Sequence, residues 1–336
     1  MKTIGKKALL FADLHLGVHQ NSPKWHQLAV DWAKWARDIA VKESVDSVIC
    51  LGDYFHDRDQ IDVSTLDIAR KILNLFSEFK VYLITGNHDL YFKEKNDVTS
   101  LHIFEGYPYV NVINNTTKLR CEDKQINMVP WSESSDEKNF DADVVLTHAE
   151  FKNYRMNNSK FCEEGIDIEK YKQNEKILLA GHFHISDIRS EKKLKVGYLG
   201  NPFQHSFADF NNNKFLYIIN FQTLELKNYE NKFSPRHEIL RYSKKETPKR
   251  KNSIIKIVYD VSDNTEKYTS YSAEIQEKYS PFSLLTQTDF ELKSDSSNEE
   301  TDISFEQMLE KFITEMEIQN KKETFEYCKN LYKRCC

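Results

Sequence analysis

Five short apolar runs along the chain each break into a cluster of Asp, Asn, His and Gly. Residues 8–12 lead into Asp13-Leu14-His15, residues 47–51 into Gly52-Asp53, and residues 81–84 into Gly86-Asn87-His88-Asp89. Residues 144–146 lead into Thr147-His148, and residues 177–180 into Gly181-His182-Phe183-His184. Short apolar runs bounded by turn formers read as buried strands. Asp, Asn and His each need a partner inside an apolar core, but at the end of a strand they can face one ligand together. Between the first three runs lie helical periods. Pro23 follows the N-cap candidate Ser22, and Trp25, Leu28, Ala29, Trp32, Trp35, Ala36 and Ile39 then fall on one face. A second helix is expected over 64–79, with Leu66, Ala69, Ile72, Leu73, Phe76 and Phe79 inward. Strand, helix, strand, helix, strand predicts parallel pairing through right-handed crossovers. Ligands of such sheets collect at the carboxyl ends of the strands, so Asp13, Asp53 and Asn87 should meet. The spacing Asp13-x-His15 puts both side chains on one side of an extended segment.

Further along, residues 126–131 read as a strand and residues 132–139 as polar surface. Residues 195–199 and 214–219, separated by Gly200-Asn201-Pro202, predict a second and largely antiparallel sheet. After 230, a strand at 254–258 and a polar helix at 264–279 would build a small module. A basic run (Lys244-Lys245, Lys249-Arg250-Lys251) precedes it, either a solvated linker or a phosphate contact. Residues 294–302 are acidic and serine-rich, which reads as a linker. Ser304-x-x-Gln307 then opens an amphipathic period of Phe305, Met308, Leu309, Phe312, Ile313 and Met316, followed by Phe325, Cys328, Leu331 and Tyr332. So short a hairpin cannot bury its own stripe. Docking in a partner's groove is the expectation, with folding back onto the main domain as the alternative.

Composition changes this picture little. A chain of 336 residues with 40% hydrophobic content has room for one large domain and an appendage. The net charge of -5 excludes a surface basic all over, so any nucleic-acid contact must be a local patch. Six cysteines without a paired framework suit reduced thiols, and no run matches a signal or membrane span; a cytoplasmic protein with no membrane association is expected.

The clustered residue types point to a metal site. Asp, Asn and His without Cys suit Mn²⁺, Fe²⁺ or Zn²⁺ better than a thiolate zinc or all-oxygen calcium site. The donors exceed the needs of one ion, and two ions about 3.5–4 Å apart are the usual arrangement for in-line attack on phosphorus. A lone His148 or Asp13 is more often a cap or a satisfied core residue; recurrence after five strands is what argues for ligands. His19, His26, His102, His205 and His237 lack that setting, and surface or packing roles are expected for them.

The ordered set Asp13-x-His15, Gly52-Asp53, Gly86-Asn87-His88-Asp89, His148 and Gly181-His182-x-His184 resembles the calcineurin-like metallophosphoesterase superfamily. Its finer form, with Asp13-Leu14-His15-Leu16-Gly17 and Gly52-Asp53-x-Phe55-His56, is similar to the SbcD-type nuclease subunits of DNA repair and recombination, phage recombination endonuclease subunits among them. The resemblance implies an α/β (α+β) fold: a two-sheet sandwich flanked by helices, a small capping domain and a helical partner-binding tail. The corresponding divisions are 1–232, 233–292, an acidic linker at 293–302, and 303–336. It implies two Mn²⁺, with Mg²⁺ or Fe²⁺ as substitutes. One would be held by Asp13, His15, Asp53 and His184, the other by Asp53, Asn87, His148 and His182. His88 would serve the leaving oxygen, His56 would orient the phosphate or the DNA end, and Asp89 would support a neighbouring side chain. Arg58, Lys249, Arg250 and Lys251 are candidate DNA contacts. The stripe Phe305, Met308, Leu309, Phe312, Ile313 and Met316 is the candidate surface for an SbcC-type SMC-like ATPase, and a homodimer is implied. The expected activity is Mn²⁺-dependent cleavage of DNA, exonucleolytic on duplex ends and endonucleolytic on single strands or hairpins. The alternatives are a phosphoprotein or small-molecule phosphatase, and a scaffold that has lost catalysis. Asp59 after Asp57-Arg58 departs from the phosphatase pattern Asp-Arg-Gly.

Overall fold

The computed structural model describes residues 2–92, 95–156, 160–173, 176–260, 263, 265–289, 313 and 320–335. It divides into two units, Met1–Asp289 and Phe290–Cys336. In the first, three strands that are apolar after their first residue, Lys7–Phe11, Ser47–Cys50 and Lys80–Ile84, pair in parallel. The helices Pro23–Glu43 and Val63–Leu75 make the crossovers. Alternation divides each strand between two cores. Leu9, Phe11, Val48, Cys50, Val81 and Leu83 pack under the helices with Trp32, Ala36, Ile72 and Phe76. Ala8, Leu10, Ile49 and Ile84 face a second sheet across Met128, Leu146 and Leu179. The outer face of that second sheet is covered by loops carrying Phe140, Phe151, Tyr154 and Tyr171. The result is two stacked sheets of six and seven strands flanked by helices.

The second sheet corrects the antiparallel expectation. Lys124–Val129, Val144–His148, Lys176–Gly181 and Leu194–Tyr198 run parallel to one another, and only the flanking pairings are antiparallel. The fully buried runs at 144–148 and 177–181 already carried the mark of a parallel sheet, apolar residues on both faces. The strand expected at 214–219, found at Phe215–Asn220, joins the first sheet, antiparallel to Lys7–Phe11. The second helix ends at Leu75 rather than 79, and its N-cap is Asp62, whose carboxylate accepts from the Ser64 N–H at 2.7 Å. Ser22 precedes its helix without a side-chain cap bond.

Beyond the sandwich, His237–Arg241, Ile254–Asp260 and Ser283–Asp289 form a small parallel sheet. The helix Thr265–Tyr279 covers it through Tyr271 and Ile275. The two outer strands were not foreseen, because each carries only one adjacent apolar pair, Ile239-Leu240 and Leu284-Leu285, among polar residues. The module is seated on the main body where Phe282 meets Trp25 edge-on, 5.4 Å between centroids, and Lys24 Nζ donates to the Phe282 carbonyl. In the second unit the helix Lys321–Cys335 is described and Ile313 is buried. Phe305, Met308, Leu309, Phe312 and Met316 lie outside the described residues, as does the stretch at 293–302.

Candidate metal centre

Every one of the five apolar runs ends at the same place, where the carboxyl edges of the two sheets meet. Asp13, His15 and Asp53 are not extended: their φ angles of 54°, 45° and 53° are left-handed, as is His182 at 104°. The Asp13-x-His15 segment therefore departs from the expected extended conformation at both residues, while its backbone N–H groups still donate to the Gly52 and Asp53 carbonyls. Such conformations cost about 1–3 kcal/mol each and persist where surrounding structure enforces them. Asp89 does much of the enforcing. Its buried carboxylate accepts from the Gly86 N–H at 2.9 Å and from the Tyr54 and Phe55 N–H groups at 3.1 Å, tying the Asn87 loop to the Asp53 loop. Close approach also demands glycine here. A Cβ on Gly86 would sit 2.1 Å from Asp53 Oδ1, and one on Gly52 would sit 2.2 Å from His148 Nδ1.

Three sets of donor atoms result among the described residues. Asp13, His15 and His184 form one and Asp53, His148 and His182 another; the third, His15, His56 and His88, contains no carboxylate and shares His15 with the first. In the second set Asn87 Oδ1 lies 3.0 Å from both His148 Nε2 and His182 Nδ1. Asp53 Oδ2 reaches toward both carboxylate-bearing sets, 3.6 Å from His15 Nε2 and 3.4 Å from His148 Nε2. His15 Nε2 and His184 Nε2 are 3.1 Å apart, and Asp13 Oδ2 is buried with no hydrogen-bond partner among the described residues. Atoms sharing a cation at bonds of about 2.1 Å lie roughly 3.0–3.4 Å from one another. The separations here have that size, and the orphaned carboxylate oxygen has no other use. The residues fit two cations with Asp53 between them.

The calcineurin-like phosphoesterase family matches residues 6–186, which carry all of these donors. The chain belongs to the calcineurin-like phosphoesterases. Exonuclease subunit 1 of Enterobacteria phage T4 is 25% identical over 347 residues, covering 97% of this chain and 98% of its own. Among solved structures, a dimetal phosphatase from Danio rerio is 10% identical over 67% of this chain and 95% of its own, with a TM-score of 0.41. An archaeal phosphodiesterase is 12% identical over 67% of this chain and 99% of its own, with a TM-score of 0.35.

In this metallophosphoesterase the ring tautomers are set from behind. His148 Nδ1 donates to the Leu51 carbonyl at 2.8 Å, which turns Nε2 toward the donor set. His88 Nδ1 donates to the His56 carbonyl at 2.6 Å, and its backbone N–H donates to Asp53 Oδ1 at 2.9 Å. The His88 ring stands edge-on to His15 at 4.9 Å and stacks with His56 at 5.9 Å, beside the donors rather than among the two main sets. Burial holds the His15 imidazole far below its ordinary value and His184 down at about 4, so both are neutral lone-pair donors. Burial also opposes charge on His148 and Asp53, but the two offset it for each other. His148 is raised to about 9 and Asp53 is held well below the carboxylate range. Burial pushes Asp13 up to about 8 and Asp89 to about 7. In the metal-free protein a proton on His148 therefore takes the place that a cation would fill.

Two residues escaped the sequence reading. Glu150 Oε1 accepts from His182 Nε2 at 3.1 Å, leaving Nδ1 for the donor set. Its only sequence signal was its place two residues after His148. Replacing Glu150 by Gln should cost about 10–100-fold in metal affinity, read by Mn²⁺ titration, because such supporting carboxylates fix ligand orientation. His205, expected at the surface or in simple packing, is 4% exposed and lies 5.7 Å from the His15 ring. Of the candidate DNA contacts, Arg58 is half-buried and Lys249, Arg250 and Lys251 are exposed. Lys249 and Arg250 border a cleft with Gln204, Arg236 and His237. No described helix is long and apolar enough to cross a membrane.

Proposed function

We propose that this metallophosphoesterase is the nuclease subunit of an SbcCD-like complex, cleaving DNA exonucleolytically at duplex ends and endonucleolytically on single strands or hairpins. The sharing of Asp53 between two donor sets, with His88 alongside, carries the hydrolytic part of the reading. The end-to-end similarity to a phage exonuclease subunit supports DNA as the substrate and the existence of a partner. Divalent cations, Mn²⁺ in this proposal and Mg²⁺ or Fe²⁺ as substitutes, would when bound lower the pKa of a water nucleophile and offset charge on the phosphoryl oxygens. Asp13, His15, Asp53 and His184 would hold one and Asp53, Asn87, His148 and His182 the other. The chain's own groups do the rest. His88, its Nδ1 committed to the His56 carbonyl, presents Nε2 to hold or deliver a proton at the leaving 3′ oxygen. His56 orients the phosphate. Asp89 keeps the two loops in register.

The remaining assignments belong to the same proposal. Residues 233–292 cap the site and contact DNA, with Arg58, Lys249, Arg250 and Lys251 as phosphate contacts. Residues 303–336 dock on an SbcC-type SMC-like ATPase through the stripe from Phe305 to Met316, and the chain forms a homodimer in the cytoplasm, host cytoplasm for a phage protein. The decisive assay offers labelled DNA and a phosphopeptide to the protein with and without Mn²⁺. Mn²⁺-dependent DNA cleavage is expected. Phosphopeptide hydrolysis without DNA cleavage would replace the nuclease by a phosphatase, and absence of turnover with metal bound would leave a scaffold. Deleting 303–336 should abolish binding of the ATPase; retained association would contradict the docking assignment.

A further inference from the structure

His205 has no task in the account so far, and its surroundings define one. Its ring lies 5.7 Å from His15 and 5.6 Å from His184, with Phe203 at 5.0 Å and Trp25 at 6.4 Å. At 4% exposed it is as buried as His15, which is 3% exposed. Neither ring nitrogen has a hydrogen-bond partner among the described residues. The structural work at this position is done by the backbone. The His205 N–H donates to Asp209 Oδ2 at 2.9 Å, and its carbonyl accepts from His19 Nε2 at 2.7 Å.

Packing does not account for an imidazole here. A phenyl or isobutyl group would fill the space beside Phe203 and Trp25 without stranding a donor and an acceptor, each about 1–3 kcal/mol unfavourable when unmet. Ligation does not account for it either, since the donor set that includes His15 and His184 is completed by Asp13 without His205. What remains is a polar group that is not part of the chain. It must lie beside two ligands of the first cation, on the side toward the added module that Trp25 and Phe282 anchor. A position next to bound cations and lined by neutral imidazoles favours an anion with oxygens to accept an N–H bond.

We propose that His205 binds a non-bridging phosphoryl oxygen of the substrate, donating a ring N–H to it beside His15 and His184. The proposal deepens the phosphoesterase reading and rests on it. It makes His205 a substrate-contacting residue, supplied by the chain after the last strand-end motif.

The test uses the full chain with inorganic phosphate as the probe. In the Mg²⁺-loaded protein, phosphate should move the ¹⁵N resonances of the His205 ring; unmoved resonances under saturating phosphate would overturn the proposal without any variant. His205→Phe should bind two Mn²⁺ as the parent does and bind phosphate about 10–100-fold more weakly, the loss expected for one hydrogen bond to a charged group. His205→Gln, which keeps an N–H donor, should recover most of that loss. Parental phosphate affinity in His205→Phe, or loss of a manganese from it, would contradict the assignment. Failure to cleave DNA with phosphate binding intact would sink the nuclease reading and leave this one standing. The reverse result would do the opposite.

Discussion

Asp53→Asn is expected to lose phosphodiester hydrolysis by about 10³-fold or more while remaining folded, a loss of about 4 kcal/mol of transition-state stabilisation. Asp53 Oδ2 is the oxygen that reaches both donor sets, and a neutral amide there cannot compensate two dications. The fold should persist because the other oxygen's role survives. Asparagine Oδ1 can still accept the His88 N–H that Asp53 Oδ1 accepts at 2.9 Å. The measurement is hydrolysis of bis-p-nitrophenyl phosphate, a diester that does not depend on any DNA contact, together with Mn²⁺ titration. Parental hydrolysis with both ions bound would show that Asp53 does not bridge. In the metal-free variant His148 loses the carboxylate that offsets its burial, so its imidazole should titrate well below the parent's value of about 9, read from its ring resonances.

The second large effect is on stability. Burial raises Asp13 to about 8 and Asp89 to about 7, and Asp53 raises His148 to about 9 despite burial. Each of these groups keeps a proton in the folded metal-free protein that the unfolded chain has given up, so each contribution is lost as pH rises through the folded value. His15, His182, His184 and His205 are shifted the other way by burial, and their opposing effect ends near pH 6.5. Above that pH these imidazoles no longer oppose the trend. The metal-free protein should melt progressively lower from pH 6.5 to 8.5, by roughly 2–4 °C per pH unit for each proton retained. Mn²⁺ should reverse the trend, adding about 2.7 kcal/mol at a hundredfold excess over its Kd. Melting curves with chelator and with Mn²⁺ at both ends of that range check it. A metal-free protein equally stable at pH 6.5 and 8.5 would contradict the buried, proton-holding carboxylates.

The sequence disclosed the site better than the scaffold. The donors were legible because each follows an apolar run, and strand ends are where polar side chains can converge. The runs at 144–148 and 177–181 end where the structure gathers His148 and His182, yet the strand at 195–199 was expected in a largely antiparallel sheet and instead pairs parallel with Lys176–Gly181, because local pattern does not choose a strand's neighbours. The strand at Phe215–Asn220 shows the same limit: it pairs with Lys7–Phe11, some two hundred residues away, through contacts no local window contains. Glu150 and His205 escaped for a different reason. Neither stands at the end of an apolar run; one supports His182 from the next loop and the other is folded in by Asp209, whose ion pair with Lys214 is buried. Supporting residues are chosen by three-dimensional neighbours, and those appear only once the chain is folded.

The central claim is that Asp53 lies between two cations. Anomalous diffraction at the manganese edge from a Mn²⁺-loaded crystal tests it most directly. Two peaks about 3.5–4 Å apart, one beside Asp13, His15 and His184 and the other beside Asn87, His148 and His182, are expected with Asp53 between them. A single peak, or two that do not share Asp53, would contradict it.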